Sequence, residues 1–349
     1  MENPFPRSLD LTTNPNKKLF FLPSEVFGWD RDFVMPRVQA LSAGVQRDLL
    51  KRIALDLSYV GKLSRHLQDT VNINQARYIP GVDASGQPLS TLANTDSRRI
   101  TVPNIYQKIN MIQSGGNASY HSFQTSAKYR TDRLTLLAAY TWSKSIDTGQ
   151  STSVQSVNHQ DNLNLNGDRG LSDFHRAHVA RFSWVYLLPN FSSLGFLNQA
   201  VGGWEISGIT SLVSGAPYTI LTGRDNSLTS TTNRADQVGN PEISGSRSRG
   251  EMIMQYFNKA AFAPNGTGVF GNVGRNSMIG PRSTNTDLAF IKNVRFTDRF
   301  GMQIRGELYN AFNQVNFGNP VNTVTASTFG RLSSAASPRV VQFGLKLNY

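Results

Sequence analysis

Cysteine is absent from all 349 residues. That removes disulfides, thiolate nucleophiles and most structural zinc sites from consideration. Equally missing is any run of about eighteen apolar residues, so no transmembrane helix is expected. A membrane is not excluded on that ground. A spanning β-strand needs only about ten alternating residues, which average hydropathy barely registers. The first residues, Met1-Glu2-Asn3-Pro4-Phe5-Pro6, carry neither a basic n-region nor an apolar h-region. They are not read as a signal peptide, and the chain is expected to be either cytoplasmic or a fragment. Long blocks of like charge are lacking too. Lys and Arg total 35 against 23 Asp and Glu, a net charge of +12, but the basic residues are scattered. None of the usual nucleic-acid motifs accompanies them, so no nucleic-acid partner is expected. A basic surface equally suits lipid phosphates.

What is present is alternation. Gly, Ser, Thr and Asn are frequent, and β-branched and aromatic residues alternate with them. Nine strand candidates follow, at 38–47, 53–61, 119–129, 134–146, 175–187, 204–214, 284–296, 302–313 and 340–349. Leu134, Leu136, Ala138, Tyr140 and Trp142 share one face of their strand. Ala180, Phe182, Trp184, Tyr186 and Leu188 do the same, opposed by Val179, Arg181, Ser183 and Val185. Met302, Ile304, Gly306 and Leu308 oppose Gln303, Arg305 and Glu307. A greasy face backed by small and charged residues fits either a barrel with a wet lumen or one sheet of a sandwich.

The connections separate these two. Asp48–Arg52, Arg130–Arg133 and Thr297–Gly301 are short, 189–203 is intermediate, and 62–118, 147–174, 215–283 and 314–339 are long. Short and long alternate along the chain, as periplasmic turns and extracellular loops do in outer-membrane barrels. A compact sandwich has mostly short connections. If strand 340–349 descends to the periplasm, every short connection falls on the periplasmic side. The paired aromatics Tyr140 with Trp142, and Trp184 with Tyr186, sit near strand ends. They are read as lipid-interface residues, with ordinary core packing as the alternative. Parity assigns Arg181, Arg305, Glu307 and Lys346 to the lumen.

Motifs of chemistry are weak. Gly271-Asn272-Val273-Gly274-Arg275-Asn276 lacks the Gly-Lys-Ser/Thr ending of a phosphate loop. His175 and His178, read as strand residues, point to opposite faces and cannot share a metal, and His121 and His159 are isolated. No Gly-x-Ser-x-Gly elbow occurs. Asp147, Asp161, Asp168 and Asp173 gather in one predicted outer loop, read as a solvated acidic patch able to meet a cation. No enzyme activity, metal or cofactor is expected. Tyr256-Phe257 with Ala260-Ala261-Phe262 is an apolar cluster able to pin a long loop over the barrel mouth.

The strongest motif closes the sequence. Val341, Phe343, Leu345, Leu347 and Tyr349 fall on one face, and the pattern runs onto the last residue. Gln342, Gly344, Leu347 and Tyr349 have the spacing of a β-signal, read by barrel-assembly machinery through strand addition at a sheet edge.

Several stretches then carry a family resemblance. They are Tyr59-Val60-Gly61, Tyr140 to Ser145, His178 to Pro189, Gly203 to Gly208, Ser214 to Pro217, Arg305 to Asn313 and Asn316-Phe317-Gly318. In this order they resemble the C-terminal barrel portion of TonB-dependent receptor-like outer-membrane proteins, in particular the Oar-like group. The resemblance implies a plugged barrel of roughly 22 strands. It also implies energy delivered from the inner membrane through an N-terminal box, and often an immunoglobulin-like domain near the start. The chain shows no plug, no coupling box and no leader. An odd, small set of strands left open would expose two edges to lipid, which is untenable.

The expectation is therefore an all-β, antiparallel up-and-down transmembrane barrel segment, residues 1–349, with long extracellular loops. Its partners are outer-membrane lipids, the barrel-assembly machinery, an unknown small ligand, and a TonB-type coupler reached only through a missing N-terminal part. The role implied is binding and import of a scarce substrate, with loops 62–118, 147–174 and 215–283 contacting it. The alternative is a soluble or surface-displayed β-protein used for adhesion.

Overall fold

The computed structural model describes residues 24–49, 52–149, 159–190, 198–297 and 299–349. Ten principal strands organise it: β1 (Ser24–Trp29), β2 (Arg37–Leu49), β3 (Ile53–Asn72), β4 (Tyr106–Arg130), β5 (Leu134–Asp147), β6 (His178–Leu187), β7 (Trp204–Val213), β8 (Ser283–Arg295), β9 (Gly301–Tyr309) and β10 (Val340–Asn348). From β2 to β10 each strand pairs with the next in an antiparallel meander. All nine expected strands are present, and the connections alternate short and long as the sequence implied.

Three details differ from expectation. β3 and β4 run on to Asn72 and back to Tyr106, so the loop expected at 62–118 spans only 73–105. The extensions are rich in polar residues, among them Gln68, Thr70, Asn72, Asn110, Gln113 and Asn117, and the apolar alternation of Leu63, Leu67 and Val71 is interrupted by Arg65 and Asp69. Their pairing is interrupted by register shifts around Leu67, beside His66 in a left-handed conformation (φ 56°). β1 was not expected; it lies parallel to β4, from Ser24 opposite Tyr106 to Trp29 opposite Ile112. Finally, β6 begins at His178 and β9 stops at Tyr309, so His175 and the Asn310–Asn313 stretch belong to loops. Asn310 and Asn313 both adopt positive φ, which asparagine tolerates and which ends a strand.

Register fixes the two faces. Met302, Ile304, Gly306 and Leu308 stand opposite Leu347, Leu345, Phe343 and Val341. Gln303, Arg305 and Glu307 stand opposite Lys346, Gly344 and Gln342. Apolar therefore meets apolar across the pair, and polar meets polar. The apolar face is open: Phe343 is 82% exposed and Leu345 66%. A soluble sheet would cover these side chains, whereas lipid takes them without cost. Where a glycine interrupts the apolar face, a neighbour fills the gap. The Trp184 ring lies over Gly208, about where a Cβ would stand, with Leu288 on the far side.

One row of opposed residues reads Leu49, Ile53, Tyr129, Leu136, Trp184, Gly208, Leu288, Leu308, Val341. It starts at the short-turn end of β2 and finishes at the long-loop end of β10. The slip is close to one residue per strand. With a rise of ~3.3 Å per residue and ~4.8 Å between strands, the strands tilt by roughly 30–35° from the barrel axis. Such a stagger is what closure of a sheet into a barrel demands. β2 pairs only with β3, and β10 only with β9, among the described residues.

Candidate functional site

The hydrophobic core lies in the long loops. Tyr218, Ile220, Ala235, Phe257, Ala261, Phe262, Val273 and Phe329 form one buried cluster, drawn from the segments 214–282 and 310–339. Phe257 packs edge-on against Phe262 and Phe329, with ring centroids 5.5 and 5.1 Å away. The apolar cluster around Tyr256–Phe262 is thus the anchor of an ordered cap at the long-loop end. Two-residue strands add to it, Met278–Ile279 pairing with Pro217–Tyr218 and Asp236–Gln237 with Phe262–Ala263.

Polar side chains tie the loops together. Asn74 accepts from the Thr101 and Val102 amides and donates to the Tyr106 carbonyl, closing the 73–105 loop on itself. Gln75 accepts from Asn162 and donates to Asp161. Gln160 accepts from the Arg234 amide and donates to the Gly271 carbonyl. Gly271 has to be glycine, because a Cβ would sit 1.9 Å from the Arg234 carbonyl oxygen. The stretch that suggested a phosphate loop is instead a packing surface. Arg98 donates to the carbonyls of Arg77, Thr91 and Leu228, joining two loops far apart in sequence.

At the centre lies His159, 3% exposed. Its Nδ1 is 2.7 Å from Asp168 Oδ2 and its Nε2 2.9 Å from Asp69 Oδ1. Burial alone pulls an imidazolium down, but the hydrogen bonds and charges of Asp168 and Asp69 outweigh it and raise His159 to about 9. With both nitrogens donating, the ring has no lone pair for a metal and no free position for general-base chemistry. Asp168 also meets Arg234 at 2.9 Å. Arg275 pairs with Asp147, reaches Asp173 at 3.6 Å and donates to the Asp168 carbonyl at 2.6 Å.

The acidic-patch reading is therefore corrected for Asp147 and Asp168, while Asp173 stays exposed. Asp147 and Asp168 are 5% and 4% exposed, and the cations they meet are the protein's own Arg275, Arg234 and His159. Buried carboxylates need such partners, so the network that neutralises them also fixes the loops. No sequence signal pointed to Asp69, Arg234 or Arg275, whose partners lie many tens of residues away.

A cavity of about 470 Å³ opens beside this network, lined among others by Tyr218, Thr219, Arg234, Arg275, Asn276 and Asn322. Its size falls in the range of small-molecule pockets. Asn276 and Asn322 are themselves held, donating to the Leu171 and Thr219 carbonyls at 2.7 and 2.6 Å. Burial pushes the Tyr218 phenol up, so it stays protonated.

The remaining expected site residues sort by face and height. Tyr140 and Trp142 lie on the apolar face toward the long-loop end, opposite Ala180 and His178. Trp184 and Tyr186 lie on the same face toward the short-turn end, opposite Leu136 and Leu134. The two pairs are about six residues apart along the strands, or roughly 20 Å, close to the height of a barrel's apolar band. Arg181, Arg305, Glu307 and Lys346 share the other face: Arg181 stands opposite Ser211 and Ser211 opposite Asn285, and on the same face of β8 Ala289 and Ile291 stand opposite Glu307 and Arg305. Gln342, Gly344 and Leu347 lie on β10 opposite Glu307, Arg305 and Met302, with Tyr349 just beyond the strand.

Comparison with known proteins follows the same lines. The sequence profile of the outer membrane beta barrel domain matches residues 1–342. No curated protein matches the chain. Among solved structures, the outer membrane transporter YddB from Escherichia coli superposes with a TM-score of 0.52 at 11% identity, covering 94% of this chain and 34% of that one. The FrpB iron transporter from Neisseria meningitidis gives a TM-score of 0.44 at 12% identity, covering 92% of this chain and 32% of that one. The likeness to YddB is one of fold, and the chain spans about a third of the length of these transporters.

Proposed function

The chain belongs to the outer membrane beta barrel domain family, and on that premise we propose that it forms the ligand-facing wall and cap of a TonB-dependent importer in the outer membrane. The observation that carries this reading is the packed cap. Loops that merely connect strands need no core, yet these bury eight residues in one cluster and border an open cavity. An ordered cap over a polar-lined wall suits capture of a small solute before passage. Under this reading loops 73–105, 148–177 and 214–282 contact the solute, and Arg181, Arg305, Glu307 and Lys346 line the route.

The wall requires completion. β2 and β10 run in the same direction, so an all-antiparallel closure takes an odd number of further strands, contributed with a plug by the rest of the protein. Gln342, Gly344, Leu347 and Tyr349 serve as the signal read by the assembly machinery, a role supported by β10 pairing on one side only among the described residues. The energy coupler acts through the part of the protein outside this chain.

The test is growth. Cells making the full-length protein are compared with cells making it with 214–282 replaced by a short turn. Each grows on a panel of single limiting nutrients: ferric chelates, cobalamin, oligosaccharides and peptides. The reading expects one nutrient on which only intact protein supports growth, and expects an inner-membrane uncoupler to abolish its uptake. If no nutrient discriminates and the cap-less cells lose surface attachment instead, adhesion replaces import.

A further inference from the structure

A cationic patch stands on the lipid side of the wall, just above the aromatics at the long-loop end. Arg37 and Arg65 are directly opposed across β2 and β3, on the face that carries Leu41, Tyr59 and Val45. Both are exposed. Like charges placed opposite each other destabilise a strand pair unless something intervenes. Lys144, also exposed, stands opposite His121 across β4 and β5 on the same face. Neither Arg37, Arg65 nor Lys144 forms an ion pair among the described residues. No Asp or Glu shares this face of β2–β5 above Trp142.

Height follows from the register. One row links Trp142, Phe123, Tyr59 and Ala43. After the slip of about one residue per strand, Lys144, Arg37 and Arg65 stand about two, three and four residues above Trp142. That is roughly 5–11 Å above an aromatic that marks the lipid boundary. Headgroup phosphates occupy this layer. Beneath the cations, Tyr59 is hydrogen-bonded to His121 at 2.7 Å and stacked on it, and Tyr140 to His178 at 2.8 Å.

We propose that Arg37, Arg65 and Lys144 form a docking site for a phosphorylated lipid of the outer leaflet, the lipid phosphate bridging the two opposed arginines. Guanidinium groups suit this role because their planar forks bind phosphate oxygens in pairs. The site concerns the lipid-facing side alone and does not depend on import.

The full-length protein in nonionic detergent is titrated with a phosphorylated glucosamine-disaccharide lipid, and with the same lipid after phosphatase treatment. Native mass spectrometry counts the bound lipid. The expected result is binding of the phosphorylated form only, weakened about tenfold or more in R37Q/R65Q and weakened less, through charge alone, in R37K/R65K. Arg47 lies on the same face of β2 near its short-turn end, so R47Q should bind like the parent. Folding of each variant is checked by its migration on a gel before and after boiling. Equal binding by R37Q/R65Q, equal loss in R47Q, binding of the dephosphorylated lipid, or displacement by inorganic phosphate alone would each overturn the proposal.

Discussion

Replacing His159 by Gln tests the electrostatics of the cap. In the folded protein this imidazole is held near 9, against an ordinary value of about 6.5. Its raised value means the folded state binds a proton that the unfolded cap releases. The stabilisation is therefore complete below about pH 6.5, declines through the interval between, and is gone above about pH 9. The difference of about 2.5 units corresponds to roughly 3 kcal/mol at full protonation. In the variant this pH-dependent contribution disappears, and Asp69 and Asp168 are left buried without their shared cation. Hydrogen exchange of the 159–176 and 225–235 amides, corrected for intrinsic rates, reads the opening of the cap. The parent should lose protection by roughly tenfold per pH unit between 7 and 9, and the variant should be less protected at pH 6 and flat across that range. Parallel profiles for the two proteins, or a His159 resonance titrating near 6.5, would refute the reasoning.

Other outcomes follow from the same contacts. Phe257→Ala should destabilise the cap by about 3–5 kcal/mol, seen as faster limited proteolysis of 214–282, while the heat-dependent gel shift of the barrel persists. Arg275→Met leaves Asp147 buried and unpaired; it should cost about 3–5 kcal/mol and release the 159–177 segment to protease at neutral pH. Phe343→Arg places a charge near the middle of the apolar face and should cost about 2–4 kcal/mol, lowering assembled protein in outer-membrane fractions. Gln46→Arg, on the opposite face beside Asp56, should assemble normally.

The wall was legible in the sequence because its physics is local. Alternation within β5, β6, β9 and β10 states which residues meet lipid, and the spacing of turns states the direction of each strand. Where that local contrast ends, legibility ends with it. In the upper parts of β3 and β4 the apolar alternation is broken by Arg65, Asp69 and the register shifts around Leu67, so 62–72 and 106–118 read as loop. The cap was half legible. Tyr256–Phe262 announced an anchor, but nothing near His159 in sequence announces Asp69, and nothing near Asp147 announces Arg275. Carboxylates judged solvated from their own loop are buried by partners supplied from another. Likewise the glycine of 271 suggested phosphate binding by composition, while its reason is the close approach of the Arg234 backbone.

The absence of cysteine makes the central claim directly measurable. Single cysteines placed in turn at 341 to 348, spin-labelled in the full-length protein within a bilayer, report accessibility to oxygen and to a water-soluble nickel chelate. An outer-membrane wall predicts a two-residue period, with positions 341, 343, 345 and 347 open to oxygen and 342, 344 and 346 open to the chelate. Uniform access of the chelate to both sets would contradict it.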